Sequence, residues 1–203
     1  DNFKEELEHV KKQFSKRNFF AVGEIGIDLY WDKSNLENQQ KAFKAQIQLA
    51  KKYKLPIVIH CRDAFDEVFE ILESENDDDL FGIFHCFTGT EEQANKAISY
   101  NMKLGIGGVV TFKNGKIDAF LNKIDIRNIV LETDSPYLSP VPYRGKRNES
   151  SYLTFISKRL AEIYELSENK TLIIIAHRVS TLYGCEKIYR VEDGKVFEEK
   201  NVR

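Results

Sequence analysis

Hydrophobic positions alternate between two periods along this chain. Phe3, Leu7, Val10 and Phe14 recur at helical spacing, so residues 2–17 predict an amphipathic helix. "FFAVGEIGID" (19–28) follows as an apolar strand running into a Gly-containing turn. Phe43, Ile47 and Ala50 set a helix over about 37–53, ahead of the strand "LPIVIH". Phe65, Val68, Phe69 and Leu72 share one side of a helix over 63–73. Strand "FGIFHCF", helix 91–100, strand "KLGIGGVVTF", helix 115–123 and strand "NIVLETD" continue the alternation. Tyr152, Phe155, Ile156, Leu160 and Ile163 mark a helix over 149–166. Strands that are apolar throughout, each followed by a helix, predict an α/β fold with a parallel sheet covered by helices.

Composition narrows the class. A chain of 203 residues, 42% hydrophobic and 31% charged, suffices for one globular domain with a core. A net charge of −2 excludes a generally basic nucleic-acid coat but leaves room for a local basic patch. Cys61, Cys86 and Cys185 are scattered and form no CxxC, which points to a reducing, cytoplasmic setting without a disulfide framework. No signal peptide and no apolar run of membrane-spanning length is visible. The first residue is Asp, so the chain is expected to begin inside a longer product or after processing.

The strand ends carry the candidate chemistry. Expected strands finish at Glu24, at His60, at His85, and at Glu132 and Asp134; the remaining one ends in Gly and Thr. In a parallel α/β fold these ends gather on one face, where such proteins place their sites. Any one of them has a plainer explanation: a lone His after an apolar strand as a satisfied core group, an Asp just ahead of Pro as a turn former. Together, two imidazoles and two or three carboxylates are what a divalent metal centre needs. Their mixture of nitrogen and oxygen suits zinc or manganese better than magnesium. Past this end, "YRGKRNE" brings Arg144, Lys146 and Arg147 close together, with Arg62 two residues after His60. These cations suit phosphate oxygens. The competing reading is a solvated loop with Asn148 as the N-cap of the next helix. Tyr137 suits stacking on a base as well as packing.

"GEIGID", "PIVIHCRDA", "FHCFTG", "LGIGGVVTF", "ETDSPYL" and "YRGKRNE", in this order, resemble the TatD family of metal-dependent DNases over roughly residues 1–166. Those are amidohydrolase-like TIM barrels. The resemblance implies that Glu24 bridges two metals, that His60 and His85 bind one of them, and that Asp134 is a ligand that also serves the nucleophilic water. It implies a divalent cofactor (Zn, Mg or Mn) and DNA or another phosphodiester as substrate, with Arg62, Arg144, Lys146 and Arg147 on its phosphates. Glu132, on the other side of the strand by period two, is expected to be structural. The family's opening His-x-His strand has no counterpart here, nor do the first three barrel strands. The expectation is therefore a partial TIM-barrel-like sheet of about five βα units. It is also an impaired hydrolase holding one ion, and open sheet edges that favour a homo-oligomer.

"KTLIIIAHRVSTLYGCEKIYRVEDGKVFEEK" (170–200) resembles instead the end of an ABC-transporter ATPase, in which His177 would reach the ATP γ-phosphate. "VEDGKVFEE" reads as a hairpin with an Asp-Gly turn, within a βαββ-like extension. No P-loop is present, so no nucleotide site is expected. The expected division is residues 1–168 as a hydrolase fragment and 169–203 as the ABC-like segment. The alternative function is a nucleotide-binding or non-catalytic interaction fragment. His177 is expected either as a leftover strand-end residue or, if the tail strand lies where a barrel's first strand would close, as a partial substitute for the missing His-x-His.

Overall fold

In the computed structural model of this chain, residues 2–166, 188–192 and 195–199 are described. They fall into two units: the chain up to Ile106 together with Gly115–Glu132, and Gly107–Asn114 together with the chain from Thr133 onward.

The first unit alternates as the hydrophobic pattern requires. It runs α1 (Phe3–Gln13), β1 (Val22–Asp28), α2 (Leu36–Tyr53), β2 (Ile57–Arg62), α3 (Phe65–Ser74), β3 (Gly82–Phe84), α4 (Glu91–Ser99), β4 (Met102–Ile106) and β5 (Ile129–Leu131). The strands form one sheet in the order β1-β2-β3-β4-β5, and every pair is parallel. α2 packs on β1, α3 on β1 and β2, and α4 on β4. Ile59, Phe84 and Leu104 share one cross-strand row and are fully buried. Phe43 and Ile47 of α2 and Phe69 and Leu72 of α3 are equally buried. Phe84 lies within about ring-contact distance of Phe65 (6.1 Å), Phe69 (5.8 Å) and Phe87 (6.1 Å). The neighbouring row, Val58 and Ile83, is only half-buried. The strands' apolar character is thus used fully on the row facing the aromatic cluster.

Several expected elements are shorter than the pattern suggested, two helices of this unit among them. α1 stops at Gln13, where the Ser15 hydroxyl donates to the Lys12 carbonyl at 2.8 Å and competes with the helix. The expected helix over 115–123 is a pair of 3₁₀ turns, Ile117–Ala119 and Leu121–Lys123. Asp118 and Asn122 disfavour a helix interior there, and Ile117 and Leu121 alone are buried in these turns. α4 begins where predicted because Thr90 Oγ1 accepts from Gln93 N (3.2 Å) while Gln93 Oε1 accepts from Thr90 N (2.9 Å).

The second unit holds a 3₁₀ turn (Gly108–Thr111), α5 (Leu153–Ile163), β6 (Ile188–Glu192) and β7 (Lys195–Glu199). The expected strand over 103–112 therefore ends at Ile106 and gives way to the 3₁₀ turn. β6 and β7 pair antiparallel, as the hairpin expected around the Asp-Gly dipeptide. Asn148 does not cap α5, which starts at Leu153. Asn148 is buried instead, and its amide donates to Thr133 O (2.7 Å) and Tyr137 O (2.6 Å).

Truncating the centre of the aromatic cluster measures its weight. Phe84→Ala is expected to lower the unfolding free energy by about 3–5 kcal/mol in urea denaturation followed by circular dichroism. Phe20→Ala, at a side chain 97% exposed, should change it by less than about 0.5 kcal/mol.

Candidate metal centre

In the first unit, β1 delivers Glu24 through an irregularity. Gly23 pairs with Val58 and Ile25 with Ile59, so Glu24 is the extra residue of a bulge, the device by which a strand re-aims one side chain. Its carboxylate is 53% exposed. Two residues on, Gly26 pairs with His60 at φ +143°, and a Cβ there would lie 1.9 Å from the His60 carbonyl oxygen. Only glycine lets β1 approach β2 this closely.

His85 follows β3 directly, its amide donating to Ile59 O at 2.9 Å. Its Nδ1 lies 3.0 Å from Glu132 Oε2, and its Nε2 lies 3.9 Å from Glu24 Oε1. The other Glu132 oxygen accepts from the Cys86 amide. The period-two expectation that Glu132 turns away from the site is corrected here. β5 ends at Leu131, so strand alternation no longer governs residue 132, and the carboxylate reaches across to His85. The reach depends on Gly105 of β4, where a Cβ would lie 2.6 Å from Glu132 Oε2. With its carboxylate accepting from Nδ1–H, Glu132 fixes the His85 tautomer that presents the Nε2 lone pair.

The second imidazole is held the same way. His60 Nε2 lies 3.0 Å from Asp28 Oδ2, while Asp28 Oδ1 accepts from the Tyr30 amide at 2.9 Å. Burial opposes ionisation of Asp28, but the Tyr30 amide, the His60 ring and the Arg62 charge outweigh it and hold the carboxyl below its usual range. Asp28 was not singled out in the sequence; its partnership with His60 is set by the β1–β2 register, in which Gly26 faces His60 and Asp28 faces Arg62. Burial pushes the thiol of Cys61, beside His60, up to about 12.

These donors fit a divalent ion. Bonds of about 2.0–2.2 Å at a tetrahedral angle would set two donors ~3.4 Å apart, so the 3.9 Å between His85 Nε2 and Glu24 Oε1 would have to close by ~0.5 Å to take one ion. His85, Cys86 and Glu132 also place one potential ligand atom each within 4.8 Å of one another. Glu132 is already engaged with the other two, which makes it their holder.

The remaining site residues belong to the second unit. Asp134 sits at φ +57° in a turn closed by Tyr137 N donating to Asp134 O at 2.8 Å. Asn148, through Thr133 O and Tyr137 O, pins both sides of that turn. In the basic loop the Arg144 guanidinium lies 3.7 Å from the Phe112 ring centroid and Lys146 Nζ 5.7 Å from that of Tyr143. Arg144, Lys146 and Arg147 are all exposed. His177 lies outside the described residues.

Among the described residues, no helix is long and apolar enough to cross a membrane. The TatD-related DNase family matches residues 1–184. The metal-dependent hydrolase YabD of Bacillus subtilis (strain 168) is 39% identical over 184 residues, which cover 90% of this chain and 72% of YabD. The 3'-5' ssDNA/RNA exonuclease TatD of a Rahnella strain is 36% identical over 150 residues, covering 71% of this chain and 57% of that protein. The crystal structure of YJJV, a TatD homologue from Escherichia coli K12, superposes with a TM-score of 0.73 at 30% identity, over 77% of this chain and 61% of that one. The likeness of the tail to an ABC-transporter ATPase gains no support from these relatives. With a family match over residues 1–184 and a relative of this extent, the chain belongs to the TatD-related family of metal-dependent hydrolases.

Proposed function

We propose that the chain is a metal-dependent phosphodiester hydrolase acting on DNA, with Glu24, His60, His85 and Asp134 as ligands. The observation that carries this reading is His85, with one ring nitrogen 3.0 Å from the Glu132 carboxylate and the other 3.9 Å from that of Glu24. A carboxylate behind a histidine is the usual support of a metal-ligating imidazole. A divalent ion held there supplies a Lewis acid for the phosphodiester and acidifies a water.

The chain's own groups do the rest. Glu132 and Asp28 keep both rings in fixed tautomers and orientations. Asp134 accepts the proton of the attacking water. Arg62, Arg144, Lys146 and Arg147 bind phosphate oxygens. The 203 residues contain no His-x-His, and their ligand set suffices for one ion per chain, so hydrolysis by this chain is slow. Among the described residues β1 and β5 are the edges of the sheet, and they pair with another copy, giving a homo-oligomer.

Metal binding tests the core of this reading. By calorimetric titration with Zn²⁺ or Mn²⁺, the wild-type chain should bind one ion, and Glu132→Gln should weaken it by about 10- to 100-fold. His85→Ala should abolish it. Unchanged affinity in His85→Ala, or two tightly held ions, would overturn the assignment.

The basic loop is tested by salt. If its cations hold phosphates, binding of single-stranded DNA weakens as salt rises, and the triple variant of Arg144, Lys146 and Arg147 to Ala flattens the log–log slope by roughly 2, at ~0.7 per contact. An identical slope would make the loop a surface feature.

A further inference from the structure

The loop after β1 exposes two large aromatic side chains beside the candidate centre. Trp31 is 81% exposed and Tyr30 52%. Their rings meet edge to face, centroids 4.7 Å apart at 87°. The Arg62 guanidinium lies 3.7 Å from the Tyr30 centroid and 5.8 Å from that of Trp31. Two rings and a planar cation thus form one exposed group.

The group is anchored to the site rather than free to drift. Tyr30 N donates to Asp28 Oδ1 (2.9 Å), and Asp28 Oδ2 lies 3.0 Å from His60 Nε2. Leu29 N donates to Arg62 O at 2.9 Å, which continues the β1–β2 pairing past Asp28. Beyond Trp31, Asp32 Oδ1 accepts from Ser34 N and Ser34 Oγ, both at 2.7 Å, which turns the loop back. The cluster therefore holds a set position relative to His60.

Resting on the reading of this site as a phosphodiesterase, we propose that Tyr30, Trp31 and Arg62 form a stacking platform for an unpaired base of single-stranded DNA, next to the phosphate held at the strand ends. Aromatic faces accept any base, since every base has a π-face, and a neighbouring guanidinium adds a cation for the backbone. A base inside a duplex is already stacked on both sides and has no free face for Trp31. The platform thus gives the site a preference for unpaired strand without sequence readout. It makes Tyr30 and Trp31 positioning residues for the substrate.

Trp31 is the chain's single tryptophan, so fluorescence excited selectively at tryptophan, away from the tyrosines, reports on the platform alone. The probes are a thymidine octamer, an abasic octamer with the same phosphates, and a blunt duplex, in low salt with EDTA to prevent cleavage. The thymidine octamer should quench Trp31, while the abasic octamer and the duplex should not. By anisotropy of a labelled thymidine octamer, Trp31→Ala should bind about 5- to 100-fold more weakly than wild type, and Trp31→Phe should recover most of the loss. The abasic octamer should bind the wild type as weakly as the thymidine octamer binds Trp31→Ala. Equal binding and equal quenching by thymidine and abasic octamers would overturn the platform while leaving the nuclease reading intact. Failure of both octamers to bind would likewise overturn the platform, and the metal titration above decides the nuclease reading separately.

Discussion

A single parallel register governs the first unit. Because β1 to β5 lie side by side in chain order and all run the same way, every strand must finish on the same side of the sheet. Residues far apart in sequence then become neighbours without any long excursion of the chain. The contact between His85 and Glu132 is the clearest product: it joins residues separated by 47 positions, across an intervening strand. That intervening strand has to yield, and it does so at Gly105, whose missing Cβ leaves the space the Glu132 carboxylate occupies. Any side chain at 105 would push Glu132 off His85, and the imidazole would lose the partner that sets its tautomer. The aromatic cluster around Phe84 stabilises the same register from the helix-covered side, so packing and site geometry share one scaffold.

The site's electrostatics follow from pairing. Each imidazole is matched with a carboxylate at 3.0 Å, His60 with Asp28 and His85 with Glu132. Glu24, on its bulge and half-exposed, is held less closely, its carboxylate 3.9 Å from His85 Nε2. Asp28 is ionised in spite of its burial because an amide, a ring nitrogen and a guanidinium surround it. Cys61, between His60 and Arg62, is held as a thiol by its burial. In the second unit, Asp134 depends on a different support: a turn with positive φ, closed on itself and pinned by a buried asparagine amide.

Much of this was legible in the chain. The alternation of apolar strands with amphipathic helices determined the parallel α/β sheet, because a strand covered on its faces must be apolar along its length and a helix lying on it needs a stripe at three-to-four spacing. His85 falls just past the end of β3 as expected, whereas β1 runs on to Asp28 and β2 to Arg62, so Glu24 and His60 lie inside their strands rather than at the ends the sequence suggested. The hairpin at β6–β7 was visible from its turn dipeptide. Tertiary structure alone decided the partners. Glu132 escaped a period-two count because β5 stops one residue earlier and alternation holds only inside a strand. Asp28 became the partner of His60 through cross-strand register, and Asn148 became a buried pin instead of a helix cap; a one-dimensional pattern does not encode which residue lies across from which. Sequence therefore determined where the donor atoms are presented, and the three-dimensional register, with the gap at Gly105, decided how each one is held.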